Sequence, residues 1–164
     1  MREFDSFAKF AEHLAVMSAA VVIAEHRALE RCAKLIEKTA KSEIGHYQPE
    51  VGPFQDWVPL AESTETEKAR LGYANDAPLL REGDLRDSIE HEVHGNEAVI
   101  GSKSDIAAYQ EFGTATIPPR PFIGPAAFRS KEKIRHIIGE AAIEGLTCGE
   151  VIHHSLGYDM EIKP

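Results

Sequence analysis

Cysteine is scarce in this chain: Cys32 and Cys148 are the only two among 164 residues. Two thiols so far apart make no disulfide framework and point to a reducing compartment. Basic charge is also short, with 18 Lys and Arg against 27 Asp and Glu, a formal net charge of −9. A chain of that sign is a poor general clamp for nucleic acid and suits a surface that DNA slides past. Long apolar runs are missing too. The longest, Leu14–Ala24, contains Ser18 and is too short to span a bilayer. It follows acidic residues instead of a basic segment, so no secretory leader is expected.

Chemistry-bearing motifs are equally sparse. The sequence has no phosphate-cradling glycine loop of the P-loop type and no GxSxG elbow. His91-Glu92-Val93-His94 comes nearest to a metal motif. The helical zinc motif needs histidines four apart, and here the spacing is three in a segment that reads as strand. Alternation on a strand puts His91 and His94 on opposite faces, where they cannot share one ion. His153 and His154 are adjacent and do not converge either. No catalytic residue, no metal site and no cofactor is expected, and nothing in the residues compels an enzyme.

What is present reads as one α+β domain over residues 1–164, with its core at about 18–146. Asp5 or Ser6 is placed to cap a short helix over Phe7–Met17. A longer helix is predicted over Ser18–Glu43, where Val21, Ala24, Ala28, Cys32, Leu35 and Thr39 recur at helical steps. Glu30 with Lys34, and Glu37 with Lys41, are four-residue pairs expected on its outer face. Gly45 is the natural stop. The stretch 48–77 is broken by Pro49, Gly52, Pro53 and Pro59 and reads as a mobile, exposed loop carrying Trp57. Thr64 or Thr66 is a possible start for a short helix within it. Gly83 allows a bend, and strands over Asp87–His94 and Glu97–Gly101 flank the hairpin signal Gly95-Asn96. Ile89, His91 and Val93 share one face of the first strand. Asp105 can cap a helix over Ile106–Phe112, which Gly113 closes. Ala126–Leu146 reads as a second long helix after Pro125, with Phe128, Ile134, Ile137, Ile138, Ala141 and Ala142 on its apolar face. The tail, 148–164, could add a strand or short helix at Glu150–Leu156. The expected architecture is therefore a small antiparallel sheet packed with two long helices, plus an extended proline-rich arm and a mobile loop.

That arm holds Arg120, Phe122 and Ile123 between Pro118, Pro119, Pro121 and Pro125. Proline fixes its own φ and disfavours helix for the residue before it, so Ile117–Phe122 is extended. A stiff arm can dock on another surface with little entropy left to lose. It can equally cross its own core and seat Phe122 there, as most loops only connect.

Several short pieces in one order resemble a known family. Trp57-Val58-Pro59-Leu60 comes first, then Thr66 and Lys68, then Pro78-Leu79-Leu80-Arg81-Glu82-Gly83-Asp84-Leu85-Arg86-Asp87-Ser88-Ile89. Val99-Ile100-Gly101-Ser102, Ala107-Ala108-Tyr109, Glu111-Phe112-Gly113-Thr114 and Pro118-Pro119-Arg120-Pro121-Phe122-Ile123 follow. Together they resemble the phage virion-morphogenesis proteins of the Mu G type, the tail-completion proteins, and the related head–tail joining minor tail proteins of long-tailed phages. The resemblance covers roughly Trp57 to Phe128. Glu82 departs from it, standing where a small polar residue is usual, and Gln110 stands where the family varies.

The resemblance implies a non-catalytic virion component, of phage or prophage, that forms a ring at the neck or tail end and is assembled in the host cytoplasm. Its implied partners are other copies of itself, in a ring that forms on assembly while the isolated chain can be a monomer, neck or tail-tube proteins, and DNA passing through without specific binding; no membrane is implied. The candidate contact residues are Trp57, Leu60, Arg86, Tyr109, Phe112, Arg120 and Phe122. Two other readings remain open: an adaptor that holds a peptide with the proline arm and stays monomeric, and a hydrolase, which would need an acidic residue and a histidine converging in a pocket.

Overall fold

The computed structural model describes residues 4–147. Cys148, His153, His154 and the element expected at Glu150–Leu156 lie outside them. Helix α1 runs unbroken over Phe7–Glu43. The expected division at Met17–Ser18 is not there, because no glycine or proline occurs between Ser6 and Gly45 to break the hydrogen-bond ladder. Of the two candidate caps, Ser6 does the work, its Oγ accepting from Lys9 N at 3.3 Å. Asp5 instead pairs with the Lys9 ammonium at 2.5 Å. The chain leaves α1 at Ile44, and Gly45 takes φ 95°, a left-handed turn that suits glycine.

A short helix, α2, spans Glu62–Arg70, and a single turn, α3, spans Asp84–Asp87 after the bend at Gly83. Because α3 takes up Asp87, strand β1 starts later than expected, at Ile89, and runs to His94. It pairs antiparallel with β2, Glu97–Ser102, in the register His91 opposite Ile100 and His94 opposite Glu97. Gly95 has φ 58° and is the sole positive φ in the two-residue turn, the pattern of a II′ hairpin. Helix α4, Asp105–Phe112, begins from Ser104, with Asp105 inside the first turn instead of at the cap. Helix α5 spans Ile123–Leu146. It starts three residues before the expected Ala126, and Pro125 falls in the first turn, where a missing N–H costs nothing.

The two long helices pack antiparallel. Arg27 faces Glu144, Arg31 faces Glu140, Thr39 faces Ser130 and Glu43 faces Arg129. Small residues make the seam: Ala24 and Ala28 of α1 are buried with Ala141 of α5, and a side chain at Gly145 would strike the Val21 backbone. Three residues expected on α5's buried face, Phe128, Ile138 and Ala142, are exposed; Ala126, Ser130 and Gly145 hold those places. The hairpin lies across α1 and α5's opening. There Ala40, Ile44, Trp57, Ile89, Ala107, Phe122 and Ala126 form the main core. This α+β arrangement, five helices and a two-stranded antiparallel sheet among the described residues, is the expected class.

The four-residue pairs form, Glu30 with Lys34 at 3.1 Å on the exposed surface as expected, and Glu37 with Lys41 at 2.5 Å half-buried instead. Both glutamates turn toward the hairpin and clamp His91, with Glu37 Oε2 on Nδ1 and Glu30 Oε1 3.2 Å from Nε2. Those carboxylates, Glu37 first, raise the His91 pKa above its ordinary value.

Candidate interaction site around the proline arm

The arm is sewn to its own body from both ends. Gly113 turns the chain out of α4 at φ 73°, and a Cβ there would meet Pro119 and the Ile117 carbonyl. Thr114 closes the loop, its N–H donating to Ile117 O at 2.9 Å and its Oγ1 accepting from Ile117 N at 3.1 Å. Then the Arg120 N–H donates to Gln110 O at 2.7 Å, tying the arm back along α4.

Glu111 is the pivot of this site. Its carboxylate accepts from the N–H groups of Phe122, Ile123 and Gly124, at 2.7, 3.0 and 2.9 Å. These are orphan donors at the N-terminus of α5, where the helix dipole also favours negative charge. A side chain on α4 thus caps a helix whose own N-cap, Phe122, offers no side-chain acceptor. The early start of α5 follows from this cap. Gly124 leaves room for the Phe54 ring, which a Cβ would strike.

Arg120 is buried, 6% exposed, and its guanidinium is spent on backbone: Nη2 donates to Val58 O at 2.9 Å and Pro59 O at 3.1 Å. Burial pushes its pKa down. Trp57 is 4% exposed and its indole N–H donates to Pro121 O at 2.9 Å. The expectation of an exposed tryptophan is therefore corrected. The 48–77 stretch is pulled onto the arm by Trp57 and Arg120, because each supplies donors that match carbonyls left free where proline breaks regular structure. Phe122 is fully buried in the main core. Of the two options for the arm, crossing its own core is the one seen for these three residues.

The remaining candidates are outward. Tyr109 is 51% and Phe112 81% exposed, and Ile106 stands on the same side of α4 at three-residue spacing. Ala107 is buried on the opposite side. Arg86 is exposed and pairs with Asp87 at 2.9 Å. Leu60 is half-buried and lines a cleft of about 840 Å³ between the 58–73 segment, the 79–85 turn, α4 and the arm. Val58, Leu79, Ile106 and Ile117 contribute apolar walls, and Lys68, buried, donates to Ala77 O. Leu79 has φ 61°, the one non-glycine residue in the left-handed region among those described. No histidine lines the cleft, so the acid and histidine a hydrolase would need do not meet there.

Two features were not foreseen. One is the Glu111 cap, whose partners lie 11–13 residues away across the arm. The other is Glu43, 3% exposed, which takes a charged hydrogen bond from Arg129; Arg129 also donates to Gln48 Oε1 at 2.8 Å. Burial pushes the Glu43 pKa up to about 7 against the pull of Arg129, and its Oε2 has no partner. Burial likewise pushes the Cys32 thiol above its ordinary range, the reverse of what a nucleophile needs.

Comparison with curated proteins and with solved structures gives no match. Comparison with family models matches residues 11–141 to the phage virion morphogenesis family, a span that takes in most of α1, the hairpin, the capped junction and most of α5. The chain belongs to the phage virion morphogenesis family.

Proposed function

We propose that this chain is a non-enzymatic building block that completes the phage tail and joins it to the head, as a ring of identical copies at the neck. Membership of a structural virion family supports the assembly role. The observation that carries the contact is the outward face of α4. Tyr109 and Phe112 stand exposed, while Glu111 between them locks the back of the helix to α5. Apolar side chains on a rigid support are what an assembly contact needs, since little order has to be gained on docking. Tyr109 and Phe112 are the direct contacts, with Leu60 at the cleft and Arg86 on the adjoining surface. Trp57, Arg120 and Phe122 contribute by holding the arm and α4 in place. The acidic balance fits a channel that DNA traverses without adhering.

Electron microscopy of particles made without this protein tests the role. Separate full heads and finished tails are expected; joined, infectious particles would contradict it. The cleft beside the arm favours a second reading, an adaptor that seats a peptide against Val58, Leu60 and Ile117. Such a protein stays monomeric in particles and in isolation, whereas a neck ring does not.

A further inference from the structure

The N-terminal half of α1 extends past the described end of α5. Gly145 lies against Val21, so among the described residues, 7–20 run on without α5 beside them for about 20 Å at ~1.5 Å per residue. This segment carries Lys9, Glu12 and His13, but between Leu14 and Ala24 no side chain is ionisable. By length and composition α1 could even cross a membrane, although the run Leu14–Ala24 by itself is too short. Almost none of its most apolar window is buried.

The exposed residues fall on two opposite sides. Exposed Phe7, Phe10 and Leu14, with half-buried Met17, continue the stripe of Val21, Ala24 and Ala28 that packs on α5. The stripe thus prolongs an interface the fold already uses and calls for another helix in α5's place. Roughly half a turn around lie Ala15, Val16, Ala19, Val22 and Ile23, all exposed. A segment following α5's line would cover the first side and leave this back uncovered. A helix with apolar residues on two sides normally has both covered.

We propose that the α1 arm is a copy-to-copy surface in which the alanine-rich back of one arm receives the Phe7–Leu14–Met17 front of the arm of a second copy. The occupant is a second copy because the chain presents both halves of the contact: large side chains in front, and a back on which exposed Ala8, Ala11, Ala15 and Ala19 leave room beside Val16, Val22 and Ile23. A front-to-back contact is heterologous, so each copy uses both sides and the series can close as a ring. Large residues from one helix then enter spaces between small residues of the next. The inference rests on the self-assembly reading and adds a surface distinct from α4.

Two experiments on the full chain decide it. First, in a Cys148→Ser background, Met17→Cys protein is mixed with Ala19→Cys protein under oxidation. Front-to-back disulfides between the two proteins are expected, with few in either protein alone; a majority of front-to-front disulfides would overturn the arrangement. Second, Leu14→Glu and Val16→Glu are compared with wild type by sedimentation, with circular dichroism to confirm folding. Each is expected to weaken association at least about tenfold, since burying an unpaired charge opposes the contact. Unchanged association would overturn the inference and leave the ring reading standing on α4. A wild-type chain that stays monomeric at high concentration without cross-linking would overturn it too, and particles lacking the protein would then judge the ring reading separately. Wild-type binding to phosphatidylcholine vesicles, lost in Val16→Glu, would replace the second copy by a lipid surface. Loss of association on deleting 148–164, with both charged variants still associating, would assign the front to the chain's own tail.

Discussion

The proline arm and the first half of α1 exchange the roles their sequences suggest. The arm has the composition of something that reaches outward, yet Arg120, Trp57 and Phe122 fix it inward, with the Trp57 indole and the Arg120 guanidinium donating to the chain's own carbonyls. The first half of α1 has the apolar content of a core helix, yet Phe7, Leu14, Val16 and Ile23 stand in solvent. Stiffness says how little entropy a segment loses on docking, not which surface it docks on. An apolar stripe says that a partner exists, not that the partner is in the same chain.

The contrast can be broken first at its most buried point. Phe122→Ala should cost about 3–5 kcal/mol by leaving a cavity where no atom is exposed, measurable by denaturant unfolding. If the arm were an outward strap, the loss would be a small fraction of that. Glu111→Ala should cost about 1–3 kcal/mol, because three helix N–H groups lose a charged acceptor. Hydrogen exchange should then quicken first at Phe122–Gly124, and Glu111→Gln should restore part of the protection. Arg120→Lys should cost about 1 kcal/mol, since an ammonium cannot span the two carbonyls that the guanidinium fork reaches.

A pH series sharpens the comparison at the buried end of α1, where Glu43 meets Arg129 near the start of α5. Glu43 has its folded pKa raised to about 7, above the ordinary 4.5. The folded form therefore holds the proton more tightly than the unfolded chain, and this contribution is complete below pH 4.5 and lost as pH rises through about 7. His91, also raised, acts in the same direction above its ordinary 6.5. Stability should fall between pH 5 and 8, and Glu43→Gln should flatten that fall. A Glu43→Gln profile parallel to wild type would contradict the assignment. The smallest effect is expected in α1: Leu14→Glu should change stability by no more than about 0.5 kcal/mol, as for other exposed positions.

Local rules read much of this fold. The II′ turn at Gly95, the alternation that puts Ile89, His91 and Val93 on one side, and the stops at Gly45 and Gly113 all follow from backbone preferences of single residues. The inward path of Phe122 does not, since the prolines stiffen the arm without aiming it and sequence offers the core crossing as one of two options. What sequence could not supply is long-range pairing. Nothing near Glu111 signals that its carboxylate belongs to a helix beginning beyond three prolines. Trp57 looks the same in sequence whether it meets Pro121 or a partner. One signal was available: Leu14–Ala24 is apolar on every side, more than a helix packed against a single neighbour requires.

Hydrogen exchange on the free chain and on the chain within assembled particles bears most directly on the exchanged roles. The amides of 7–23 should slow strongly on assembly, while those of Trp57, Arg120 and Phe122 should be slow already and stay so. Assembly that slows the 113–122 arm and leaves 7–23 unchanged would contradict the account.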